Sequence, residues 1–91
     1  MAWNGQANNK EMKSVLSAIQ LLEQKPFIHH MSYATIAKTT CCLKETAVRW
    51  IVPELEKRHL ITKLTIGEQK VPRYFYKITD AGKKYLEEED N

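Results

Sequence analysis

Between Leu55 and Ile61 the spacing of apolar residues changes. Val48, Ile51, Val52 and Leu55 fall on one arc of a helix turning 100° per residue. From Ile61 to Ile66 the helical spacing is lost, and a β-branched run with apolar Ile61, Leu64 and Ile66 among polar residues, alternating from Lys63 onward, reads as a strand. A chain carrying both periods in succession is neither all-helical nor an all-β sandwich. It must pack a small sheet against helices, which makes it α+β.

The other elements can be read around that change of period. Asn8 or Asn9 is placed to cap a first helix, with Glu11 in its first turn. Met12, Val15, Leu16, Ile19 and Leu22 form one apolar stripe. Leu21 lies off that stripe and is either a second contact surface or an ordinary exposed leucine. Lys25-Pro26 closes the helix, because a residue before proline avoids the helical region. Phe27–His30 reads as a small strand or extended link. Ser32 is a good cap for a second helix from Tyr33 to about Thr40, with Ile36 and Ala37 facing inward. Leu43 is expected to plug the turn that follows.

A third helix is expected from about Lys44 to Arg58, with Thr46, Arg49, Trp50, Pro53 and Lys57 on its outer side. Pro53 costs roughly 3 kcal/mol inside a helix and should kink or shorten it. The apolar spacing nevertheless continues through Leu55. Beyond Ile66, Gly67–Pro72 is turn-like, and Arg73–Ile78 is a second strand that completes a hairpin. Tyr74, Phe75 and Tyr76 alternate faces, and most of this cluster is assigned to the core. Thr79 or Asp80 then caps a last helix with Tyr85 and Leu86 on its inner side.

A chain of 91 residues is one small domain that buries about 60–65% of its unfolded surface. The expected organisation is a flexible N-terminus at 1–8, a folded domain at 9–88 and an acidic tail at 89–91. Trp3 is the one residue of the first segment expected to pack on the body or on a partner. A two-domain enzyme with a deep cleft does not fit this length. No run of apolar residues exceeds three, against the ~20 that a membrane helix needs. The first residues have no cationic start and no apolar stretch, so the expectation is a cytoplasmic protein without a secretory signal.

The net charge of +3 is mild but unevenly distributed. From Lys38 to Lys77 nine cations face four acids, whereas Glu87–Asp90 is four acids in a row. A basic middle suits a polyanion, although a solvated charged face produces the same pattern. Cys41 and Cys42 are adjacent and have no third cysteine to pair with. Together with His29-His30 they spell a possible zinc set, but adjacent ligand pairs close a tetrahedron poorly, so no metal is expected. No Gly-rich phosphate loop, His-Glu-x-x-His or serine nucleophile elbow is present, and neither an enzyme nor a cofactor is expected.

The order helix, short strand, helix, turn, helix, hairpin, helix is the plan of a winged helix-turn-helix. Three segments carry a resemblance to that family. Ser32–Lys38 looks like the entry to the first helix of the motif, and Leu43–Arg49 looks like its turn and the start of the recognition helix. Val48-x-x-x-Val52-x-x-Leu55-x-x-x-His59-Leu60-Ile61 is similar to the pattern in which Gly-Leu-Ile closes that helix. Tyr76–Leu86 resembles the strand-to-helix exit Tyr-x-Leu-Thr-x-x-Gly-x-x-x-Leu of MarR-like and PadR-like transcriptional regulators. This sequence departs from the family with His59 in place of Gly, Cys42 near the customary Gly, Lys44 in place of a Ser or Thr cap, and Pro53. The His59 position often needs a left-handed residue, and His visits that region more than most.

The resemblance implies sequence-specific binding of double-stranded DNA, with the third helix in the major groove and the hairpin on the backbone. Arg49 is then the base reader, since a guanidinium pairs bidentately with guanine. Thr46 is matched to a phosphate or a thymine methyl. Glu45 either accepts from cytosine or stabilises the helix start. Trp50 either packs on Pro53 and the hairpin or stacks on the sugar-phosphate chain. Lys38, Lys44, Lys57 and Lys63 are phosphate candidates, and Lys70 and Arg73 sit at the hairpin tip. A homodimer is expected through Trp3, Leu21, Tyr85 and Leu86, unless these residues merely close the monomer core. The alternative function is a winged-helix protein–protein module within a larger complex. Thr46, Arg49 and Lys57 favour nucleic acid, whereas Trp50 and Pro53 favour a protein contact.

Overall fold

The computed structural model describes residues 8–26, 31–40, 42–66 and 73–88, with the side chains of Ile66 and Arg73 excepted. The expected strand at Phe27–His30, the turn at 67–72, Trp3, Cys41 and the tail at 89–91 lie outside these residues. Four helices and a two-stranded antiparallel hairpin make up the described fold, which is α+β. No helix in it is long and apolar enough to cross a membrane.

Helix α1 (Asn9–Glu23) starts at Asn8, whose side chain accepts from the Glu11 amide at 2.8 Å while Glu11 accepts in return from the Asn8 amide. This reciprocal cap satisfies two otherwise orphaned donors. Asn8 is thereby the cap of α1. The stripe Met12, Val15, Leu16, Ile19 and Leu22 is buried. Helix α2 (Tyr33–Thr40) starts at Ser32, whose hydroxyl accepts from the Thr35 amide. Just before it, the Met31 amide donates to the Tyr74 carbonyl at 2.8 Å, so the chain entering α2 runs beside the second strand.

Helix α3 (Glu45–Lys57) has Lys44 at its cap, with no side-chain hydrogen bond to the first turn. The helix continues past Pro53 to Lys57. Magnitudes explain why. Proline costs ~3 kcal/mol, but Val48, Ile51, Val52 and Leu55 are fully buried, and each such side chain contributes about 1.5–3 kcal/mol. Pro53 itself is on the exposed side.

The end of α3 sets the course of everything after it. The His59 amide donates to Glu56 and the Leu60 amide to Leu55, both at 3.0 Å, while His59 takes φ 61°. This is a left-handed helix stop made with a residue other than glycine. Strands β1 (Ile61–Ile66) and β2 (Arg73–Ile78) then pair antiparallel, Ile61 opposite Ile78 and Ile66 opposite Arg73. Ile61, Tyr76 and Ile78 enter the core, and Tyr74 and Phe75 pack half-buried against it.

Thr79 locks the hairpin to the end of α3. Its amide donates to Leu60 at 3.0 Å and its hydroxyl donates to the His59 carbonyl at 2.8 Å. The same oxygen accepts from the Gly82 amide at 3.1 Å and so caps helix α4 (Asp80–Glu87). A side chain at Gly82 has no room. Its first carbon would lie 2.6 Å from Ile78 Cγ1 and closer still to the Leu60 carbonyl oxygen.

Two stability changes follow, both readable as denaturant midpoints. Gly82→Ala forces α4 away from the hairpin and should cost about 1–3 kcal/mol. His59→Gly relieves the left-handed strain and should gain about 0.5–1 kcal/mol after glycine's own entropy cost, whereas β-branched His59→Val should lose at least as much.

Candidate functional site

One side of the molecule gathers the outer face of α3, the start of α2 and the hairpin. Thr46, Arg49, Trp50, Pro53 and Lys57 are all exposed on α3. The helix exposes them because its other face is committed to the core. Trp50 is 60% exposed, a large apolar side chain on the surface. It borders a shallow hollow of about 280 Å³ with Cys42, Leu43, Lys44, Thr46 and Ala47.

A second hollow, about 260 Å³, lies between the α2 start, the first turns of α3 and β2. Its walls include Tyr33, Tyr74 and Tyr76, with Glu45 and Arg49 beside them. The Arg49 guanidinium is held from two directions. Its Nη2 and Nε donate to Glu45 Oε2 at 2.8 and 3.2 Å, and its central carbon sits 5.8 Å from the centre of the Tyr33 ring. Lys63, on β1, places its ammonium 4.0 Å from the centre of the Tyr74 ring. Two cations from different elements thus rest on aromatic faces, and both of those tyrosines line one hollow.

Tyr76, buried in the core, also lines this hollow. Burial raises its pKa above the ordinary tyrosine value, and Tyr33, by charge and by hydrogen bond, raises it further, with smaller contributions from Glu56 and Tyr74. Tyr76 is therefore a neutral phenol at ordinary pH.

Among the residues singled out from the sequence, Glu45, Thr46, Arg49, Trp50, Lys57 and Lys63 are brought to this side or its margin. Glu45 stands in the first turn of α3 and bonds Arg49, so its carboxylate both suits the helix start and holds the arginine. Lys38 is exposed in the last turn of α2, and Lys44 is exposed at the start of α3. Lys70 and the Arg73 side chain lie outside the described residues. Of the expected dimer residues, Leu21 is 50% exposed on α1. Tyr85 and Leu86 pack half-buried against the chain's own core, and the Tyr85 hydroxyl donates to Asn9. Sequence reasoning gives no site role to Tyr33 or Tyr74, reading most of the Tyr74–Tyr76 cluster as core, against which Tyr74 does pack. Periodicity reports which face is buried, not which ring lies under a cation. The chain matches no family model, no curated protein and no solved structure.

The buried phenol gives a pH dependence. A tyrosine whose folded pKa is raised supports the fold fully below its unfolded value of about 10, and that support falls as the pH rises through and beyond it. Denaturant midpoints compared at about pH 9 and about pH 11 should drop for the parent chain. Tyr76→Phe should drop less between the same two conditions.

Proposed function

We propose that this chain is a sequence-specific double-stranded DNA-binding transcriptional regulator of winged helix-turn-helix plan, acting in the cytoplasm. Helix α3 lies in the major groove and the β1–β2 hairpin serves as the wing on the backbone. The reading rests most on one observation, the pairing of Arg49 with Tyr33 and Lys63 with Tyr74 around a single hollow. A groove-binding helix and a backbone-binding hairpin must present cations on the same side, and these two do. Arg49 reads a guanine, Thr46 meets a phosphate or a thymine methyl, and Lys38, Lys44, Lys57 and Lys63 meet phosphates. Lys70 and Arg73 extend the same role to the hairpin tip. A homodimer doubling the half-site is part of this proposal, with exposed Leu21 as its contact on α1. No catalytic step is proposed.

Trp50 supports a second reading. A 60%-exposed tryptophan beside the hollow of Leu43 and Ala47 suits a protein partner. Under that reading α3 is the docking face of a protein–protein module.

Fluorescence anisotropy against duplexes separates the two. DNA binding predicts that Arg49→Ala costs about 1–3 kcal/mol on the preferred duplex and relaxes the preference at one base pair. Lys63→Ala should weaken all duplexes alike and lower the salt slope by about one. If Trp50→Ala abolishes a protein contact while Arg49→Ala leaves duplex binding unchanged, the docking reading replaces this one.

A further inference from the structure

Resting on the DNA-binding reading above, we propose that Glu45 is a specificity-determining residue that reserves Arg49 for a base edge and keeps it off phosphate. Both donors that reach Glu45 converge on one carboxylate oxygen, Oε2. They come from Nε and Nη2, which is one edge of the guanidinium plane. The other edge, Nη1 with the second Nη2 hydrogen, is left pointing away from Glu45. That edge is the planar two-donor fork that matches O6 and N7 of guanine. Tyr33 adds a restraint from the ring side at 5.8 Å. The guanidinium is therefore held at one edge and along one face, with a base-reading edge presented.

The carboxylate also decides what that edge can meet. A phosphate drawn to Arg49 would bring its oxyanions toward the Glu45 charge one helical turn away, an arrangement of like charges that disfavours the wrong partner. A G·C pair brings no such conflict. Its guanine offers neutral acceptors to Arg49. An exposed ion pair one turn apart contributes little to folding. The effect of Glu45 is on the choice of partner.

The test uses the full chain, a duplex enriched from a random pool by the parent protein, and a random duplex, each at two salt concentrations. Glu45→Gln should bind the random duplex about 3- to 10-fold more tightly, with a salt slope steeper by up to about one. Its preference for the enriched duplex should shrink by a similar factor. Arg49→Ala with Glu45→Gln should match Arg49→Ala alone, because Glu45 acts through Arg49. If Glu45→Gln weakens both duplexes in parallel with a lower melting temperature, Glu45 only supports the helix start and the proposal is overturned. Unchanged affinity on both duplexes overturns it as well, while the DNA-binding reading survives. A parent chain that binds neither duplex removes the DNA-binding reading itself.

Discussion

The fold turns on Thr79. One side chain and one amide tie the left-handed stop of α3 at His59-Leu60 to the end of β2, and the same hydroxyl caps α4. Without this knot, α3 and the hairpin would be joined through one short connection with a free choice of angle. With it, the carbonyls of two consecutive residues are both spoken for, and Gly82 brings α4 onto the Leu60 backbone closely enough that no side chain fits. Glu23 closes the other side of the same corner, its carboxylate accepting from the Ile78 amide at 3.1 Å. The hairpin is thereby fixed between α1 and the end of α3, and the direction in which α3 turns its outer face is set by packing rather than by that face's own residues.

That constraint links fold to candidate site. Because β1 leaves the stop at His59 in a fixed direction, Lys63 meets Tyr74 on the same side as Arg49 meets Tyr33. An arginine or lysine free on a surface loses rotamer entropy when it engages a partner. Each ring, and for Arg49 the Glu45 carboxylate, reduces that loss before any partner arrives. The proposed function asks for this property: cations preset on one side, carried by a helix and a hairpin tied together at Thr79.

Much of the architecture is legible in the sequence because it rests on period and punctuation. The stripes of α1 and α3, the β-branched run of β1, the caps at Ser32 and Thr79 and the special position of His59 all follow from local rules. The α1 cap resolves to Asn8, since only there can Glu11 reach back three residues later. The site is less legible. Arg49 stands out as an outward cation, and its bond to Glu45 follows from their four-residue spacing on α3, but its place on Tyr33 depends on α2 meeting α3 across the core, which no spacing encodes. Trp50 is 60% exposed, as its place on the outer side of α3, away from the four buried side chains, dictates. Tyr85 and Leu86 show the reverse, with apolar residues near the end of the chain serving its own core.

The most direct test of the account is an amide-resolved NMR titration of the chain with a short DNA duplex at low salt. The account predicts shift changes concentrated at the start of α2, along α3 and on the hairpin, with the Trp50 indole among them, while the outer face of α1 stays still. Resonances unmoved at a stoichiometric excess of duplex, or changes centred on α1 and α4, would contradict it.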